Sequence, residues 1–469
     1  MATASPSFAQ KNKIKDGAVK QYNLGIELGS KEQWQAAVEA YKKAIQISPN
    51  FVDAYNNLGN IYAKLGNDTE AIAAYNQATR IKPDFAEAYY NLGNVYLKLK
   101  RYQEAIGVYS TASQLKPGFA EAFNNLGLAY GELNRHEQAV EAYKEALRIR
   151  PGYADSIYNL GDAYGKLARW AQAIEAFKQA LAIKPDIAKA YNGIGLAYAH
   201  LGRYQEAVDA LNQAISLKAA DSFTYNNLGV AYSGLGRYQE AVTAYKQSVE
   251  MNPDHGEAYY NLGLAHEKLN QSADAIEAFK RAIHIRPNDA QIHHDLGLMY
   301  GKTGNRQQEV DELKQATRIN PKHGEAHHDL GVAYAELGRF QDAIDSYKQA
   351  ILIRPNNVET YIGMGFAYNE LGRYQEAVAA YKQALQFKPD SDRAYFNMGV
   401  SYVHLDRVQE AIEAFKQAIR FKPDSAQAHF NLGLGYVYLK DREQALKEYE
   451  ILKPLDPALA EKLLNVIPK

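Results

Sequence analysis

The sequence predicts an all-α fold, an α-solenoid of about thirteen stacked helix–turn–helix units, and three observations carry that prediction. Asn-Leu-Gly or a close variant recurs with its Gly at 25, 59, 93, 127 and onward to 433, a step of 34 residues taken without insertion. Twelve of the 15 prolines share one column of that step, from Pro49 to Pro457, and only Ala219 breaks it. Two alanine columns keep the same step. One runs from Ala37 to Ala445 and is broken by Glu309; the other starts at Ala44 and Ala78 and is broken by Ser248 and Leu452. The repeats fill 18–459, leaving 1–17 as an N-terminal arm or partial cap and 460–469 as the end of a capping helix.

One repeat shows why the units are helical. Tyr55, Leu58, Gly59 and Tyr62 stand at helical spacing and make one apolar stripe. Gly66-Asn67 breaks the pattern as a turn, after which Ala71, Tyr75 and Ala78 give a second stripe. Pro83 stops that second helix, and Asp84 is placed to cap the next. Gly59 and Ala71 are small, so the two helices can approach closely beside Tyr62 and Tyr75. A single pair cannot bury its stripe, whereas stacked copies share one continuous core.

Composition excludes several classes of function. With no Cys, disulfides, thiolate metal sites and Cys nucleophiles are ruled out. Lys and Arg total 53 against 54 Asp and Glu, so there is no basic surplus for nucleic-acid phosphates. No apolar run approaches the ~18 residues of a membrane span, and residues 1–17 lack an apolar signal core, so a cytoplasmic location is expected. Gly301-Lys302-Thr303 lacks the glycine of a phosphate loop, with Leu296 in its place, and no strand pattern supplies an α/β active site. A non-enzymatic protein with no cofactor is expected.

The columns Leu-Gly, Tyr, Ala, Tyr or Phe, Ala and Pro at this step resemble the tetratricopeptide repeat family over about 94% of the chain. The resemblance implies a right-handed superhelix whose first helices line a groove for a protein or peptide segment. At 100° per residue, Asp53, Asn57, Asn60 and Lys64 lie opposite the stripe that faces the second helix, and so line that groove. The Asn57 column reads Asn23, Asn57, Asn91, Asn125, Asn159, Asn227, Asn261, Asn397 and Asn431, with Gly193, Asp295, Asp329 and Gly363 at the other four positions.

Asn is a mediocre helix residue, so its repeated use needs a reason. A carboxamide both donates and accepts, which suits the backbone of an extended peptide. The column resembles the groove of protein O-linked N-acetylglucosamine transferases, although their catalytic half is absent here. The same amides would equally serve bonds between repeats. The neighbouring column includes Asn56 and Asn124 and the aromatic residues Tyr22, Tyr90, Tyr158, Tyr260, Phe396 and Phe430, candidates for contacts with a peptide or for packing between first helices. No Lys or Arg stands in that column or in the Ile26 column, which argues against a clamp for a C-terminal carboxylate. An acidic column that includes Asp53, Glu87, Glu121, Glu325 and Glu359 fits first turns of helices, where the dipole favours negative charge.

Six of the 12 His lie between 284 and 328. His294, Asp295, His328 and Asp329 can converge if adjacent first helices stack, as a polar patch or as candidate ligands for a divalent ion. His293 and His327, in the Tyr55 column, are expected in the core, and the Asp pair is expected to repel itself and invite a cation. Glu309 replaces a packed Ala and must shift the helices or pair, with Arg306 or Lys302. Ala219-Ala220 reads as a joint. Three readings follow: a scaffold holding extended segments of partner proteins, a self-assembling structural subunit using the outer surfaces, or a metal-binding module at His294 and His328.

Overall fold

The computed structural model describes residues 14–218 and 220–468. Among these there are 27 α-helices and no strand: thirteen helix pairs and a last short helix, Pro457–Val466. A typical pair is Val52–Lys64 followed by Asp68–Ile81, 13 and 14 residues long. The chain forms two compact units, Met1–Arg237 and Tyr238–Lys469. The division falls inside the seventh repeat, between Ser222–Gly234 and Tyr238–Met251.

The same packing builds each unit. The first helix of a repeat packs on its own second helix, the second packs on the next first helix, and neighbouring first helices meet along one face. The close approach inside each pair depends on the glycine column. A Cβ on Gly59 would stand 2.6 Å from Cε1 of Tyr75, whose ring is fully buried against it. Gly93 faces Tyr109, Gly161 faces Phe177, Gly365 faces Tyr381 and Gly399 faces Phe415 in the same way. In the last repeat Leu463 of the short final helix takes the ring's place over Gly433. The fully buried Ala37, Ala71 and Ala105 complete the seam.

The link between the two helices of a repeat has one backbone solution. The residue two before each second helix is left-handed in all thirteen repeats. Six are glycines, such as Gly66 at φ 77°, and the others are Glu32, Lys100, Asn134, Ala168, Asn270, Asp406 and Lys440. An L-residue there costs roughly 1–2 kcal/mol, so the tertiary packing imposes the turn even where the sequence resists it.

One local expectation is corrected, and another falls partly outside the described residues. Asp84 does not cap the helix Ala86–Lys98: Phe85 holds the cap position without a side-chain bond, because the tight turn after Pro83 puts the carboxylate one residue too early. Where a side chain does cap a helix it stands at the cap position itself, as Asn357, Ser391 and, through its ring, His323 do. Of the Ala219-Ala220 joint, Ala219 lies outside the described residues. Beside it Lys218 turns left-handed at φ 54°, and Asp221 accepts from Thr224 N at 2.8 Å to start the next helix.

Glu309 is buried at 6% exposure and is paired, not displaced: Arg306 Nη1 reaches it at 2.8 Å, while the other end of that guanidinium holds Glu336 at 2.7 Å. Lys302 turns away to Glu267. Gly301 leaves the space, since a Cβ there would collide with the Glu309 carboxylate. Burial raises the Glu309 pKa against the pull of Arg306.

Gly59→Ala should destabilise the N-terminal unit by about 1–3 kcal/mol, the usual cost of overpacking. Urea unfolding measures it, and an unchanged midpoint would show that the ring can move aside.

Candidate functional site

The Asn column lies on the first-helix face, and all its amides but that of Asn23 are half-buried there. Five of them join successive repeats. Asn57 Nδ2 donates to Tyr22 Oη at 3.0 Å, Asn91 to Asn56 Oδ1 at 3.0 Å, and Asn125 to Tyr90 Oη at 3.4 Å. Asn159 donates to Asn124 Oδ1 at 3.1 Å and Asn227 to Asn192 Oδ1 at 3.2 Å. Each bond links residues 35 apart, one repeat plus one residue, so the two adjacent columns are the two halves of one ladder.

The ladder does not consume the amides. A carboxamide has two N–H donors and two carbonyl lone pairs. Oδ1 of Asn57 and of Asn125 accepts from the neighbouring Asn56 and Asn124. Among the described residues no donor reaches Oδ1 of Asn91, Asn159 or Asn227. Asn125 is the most occupied, with Asn94 Oδ1 a further acceptor at 2.9 Å. Asn23 is exposed, Asn397 makes no side-chain bond among the described residues, and Asn431 donates to its own helix at Gln427 O. Asn261 is half-buried in the same column.

In the C-terminal unit Asp replaces Asn and the bond reverses polarity. Tyr260 Oη donates to Asp295 Oδ2 at 2.8 Å, and His294 Nε2 donates to Asp329 Oδ2 at 2.7 Å. His294 Nδ1 also lies 3.3 Å from Asp295. Burial disfavours the imidazolium, but the bonds and charges of Asp295 and Asp329 outweigh it and push the pKa up to about 9. The two carboxylates are therefore bridged by a cation from the chain itself, which corrects the expectation of a repelling pair open to a ligand cation.

The four residues do not form one cluster. His328 bonds Thr360 Oγ1 through Nδ1 at 2.9 Å, away from Asp295, and burial lowers its pKa. No group of three or more metal-ligating side chains converges among the described residues. His323 packs 4.9 Å from the His294 ring, and its pKa is lowered by burial and then by that neighbour's charge.

His293 lies in the core as expected, and its partners are a carboxylate on the second helix and the carbonyl of the proline column: Glu312 at 2.6 Å and Pro287 O at 3.1 Å. His429 repeats this with Glu448 at 2.6 Å and Pro423 O at 3.0 Å. The carboxylate bond raises both pKa values. The sequence reading missed both pairs, although the recurring His–Glu separation of 19 residues was there to find. His327, with Ser346 at that distance, keeps only the carbonyl bond and a lowered pKa.

The aromatic candidates pack before they project. Tyr90 lies 4.7 Å from the Phe119 ring, Tyr158 lies 5.6 Å from Phe177, Tyr260 lies 5.9 Å from Phe279 and Phe396 lies 5.8 Å from Phe415. Phe430 sits against the cluster around the final helix. Four members of the acidic column are paired: Glu87 with Lys116 at 2.7 Å, Glu325 with Arg354 at 2.6 Å, Glu359 with Arg393 at 2.8 Å, and Glu121 with Arg150.

Repeated helix pairs presenting one polar face define a helical-repeat scaffold for protein interaction. Family models for the tetratricopeptide repeat match residues 25–66, 59–100, 84–152, 290–323, 333–372, 365–406 and 402–441, and 119–297 match the C-terminal domain of cilia and flagella-associated protein 70. The tetratricopeptide models together span more than half of the chain, which belongs to the tetratricopeptide repeat family. A crystal structure of MamA is 30% identical over 37% of this chain and 95% of its own, with a TM-score of 0.35. YrrB, described as a TPR protein with an unusual peptide-binding site, is 23% identical over 40% of this chain and 96% of its own, with a TM-score of 0.37. Tom70 of yeast is 16% identical over 95% of this chain and 99% of its own, with a TM-score of 0.35. No curated protein matches the chain. No described helix is long and apolar enough to cross a membrane.

His294 should titrate near pH 9 by NMR. Its folded pKa lies above the unfolded value of about 6.5, so its stabilising contribution is full below that pH and is lost as pH rises toward 9. Asp329→Asn should lower the pKa and flatten the fall in thermal stability across that window. A slope identical to wild type would remove the carboxylate bridge as its cause.

Proposed function

We propose that the protein is a non-enzymatic scaffold holding extended segments of partner proteins along its first-helix faces, through the Asn column. The observation that carries this reading is the orientation of Asn91, Asn159 and Asn227. Each is fixed by one bond to the previous repeat while its carbonyl receives no donor among the described residues. A preset acceptor avoids much of the ordering cost of binding. Neighbouring first helices packed about 8–10 Å apart would meet an extended chain, rising about 3.3 Å per residue, at about every third residue. Bonds to the main chain alone leave the partner's side chains largely free. The half-buried rings of Tyr90, Tyr158, Tyr260, Phe396 and Phe430 supply flanking surface.

The test uses unstructured peptides selected from a random display library against the full chain. Asn91→Ala with Asn159→Ala and Asn227→Ala should weaken the selected peptides at least tenfold. The same changes should cost about 0.5–1.5 kcal/mol of stability per lost inter-repeat bond. Asn91→Asp separates the two effects: Asn56 can turn its amide to donate, so the rung survives while the groove loses an N–H and gains charge. Unchanged affinity in a folded triple variant would leave the amides a purely structural role.

A further inference from the structure

The Asn column is interrupted at Gly363, and there the first-helix face opens into a pocket of about 410 Å³ formed by three consecutive first helices, Gly324–Glu336, Val358–Glu370 and Asp392–His404. The ring of Tyr347 comes up from beneath. A Cβ on Gly363 would stand 2.8 Å from both Cζ and Oη of that tyrosine, so the repeat cannot carry its usual amide without moving the ring.

Two polar groups in this pocket are left without partners. Where the repeat carries Asn at the facing position, the equivalent tyrosine is satisfied within its own repeat: Tyr75 Oη donates to Asn60 at 2.6 Å and Tyr109 Oη to Asn94 at 2.7 Å. In the Gly363 pocket that partner position is Val332, so Tyr347, only 2% exposed, has a hydroxyl that no described residue bonds. Beside it His328 is held through Nδ1 by Thr360, and its Nε2 bonds nothing among the described residues. The walls are apolar: Val332, Ile362 and Phe366, the last 44% exposed. At the rim Glu359 is already matched by Arg393 at 2.8 Å, and Glu336 by Arg306.

We infer that this pocket takes one tyrosine side chain of a bound extended segment, its ring between Val332, Ile362 and Phe366 and its hydroxyl bonded to Tyr347 Oη and His328 Nε2. A phenol both donates and accepts, so it can satisfy both groups at once. A phenylalanine would fill the walls and leave both groups unpaired. A lysine or arginine would meet Arg393 and carboxylates already engaged, and an acidic side chain would meet Glu336 and Glu359. The inference rests on the reading of the face as a peptide site and assigns a side-chain preference to one place in it.

The probe is 4-methylphenol, compared with toluene, on the full chain with labelled Ile and Val methyl groups observed by NMR. 4-Methylphenol should shift the Ile362 and Val332 methyls saturably and bind about tenfold more tightly than toluene, the difference one or two hydrogen bonds make. Tyr347→Phe should keep the fold and cut that preference at least threefold. Gly363→Asn should abolish binding of both probes. Equal binding of the two probes, shifts centred elsewhere, no saturable shift up to the solubility limit, or an unchanged preference in Tyr347→Phe would each overturn the assignment. The Asn91, Asn159 and Asn227 triple variant should leave 4-methylphenol binding unchanged. A failed pocket with intact peptide binding thus stays distinguishable from a failed ladder.

Discussion

The fold depends on one steric constraint: in eleven repeats an aromatic or leucine side chain of the second helix lies directly on a glycine of the first, and in the last repeat Leu463 of the final helix does so. Tyr75 on Gly59 and Phe279 on Gly263 leave no room for even a methyl group. That contact fixes how far apart the two helices run. Fixed separation in turn dictates the single left-handed residue that joins them, whichever amino acid stands there. Within each unit it also turns the opposite side of every first helix toward one face. The polar column on that side follows from the packing beneath it.

On that face the protein uses a small vocabulary. Five Asn of the column give their bond toward the preceding repeat; the Asp residues accept theirs from it, from Tyr260 and from a protonated His294. With Gly, the rung is missing and a ring from below fills the space, Phe177 at Gly193 and Tyr347 at Gly363. Three residue types therefore give neutral amides, a buried charged bridge and a recess, on an unchanged helical framework. Chemical variety is gained at constant geometry, because every option fits the same interval between first helices.

The repeat, its helix limits and the close seam were legible in the sequence because each depends on contacts at fixed, short separations that recur thirteen times. The face was legible only as a set of residues. Two neighbouring columns, one led by Asn57 and one by Asn56, were read separately, while the bonds run between them across 35 residues. That register depends on how one repeat settles on the next, which no single repeat encodes. The histidines show the same limit. His294 and His328 occupy the same column one repeat apart, yet one is driven into its charged form by Asp295 and Asp329, and the other is drawn off by Thr360. Glu309 was the reverse case: the cost of burying a carboxylate forced a partner, and Arg306 was close enough in sequence to be named.

The joining turns differ in how comfortably their residues accept them. Glycine occupies the left-handed position in three consecutive repeats, at 304, 338 and 372, whereas Lys100, Asn134 and Ala168, and later Asp406 and Lys440, are held there against their preference. Heat or a pulling force should therefore open the array at its reluctant turns first. The stretch from about 290 to 387, which carries the His294 bridge and the Gly363 recess, is the part whose connections give the least reason to let go.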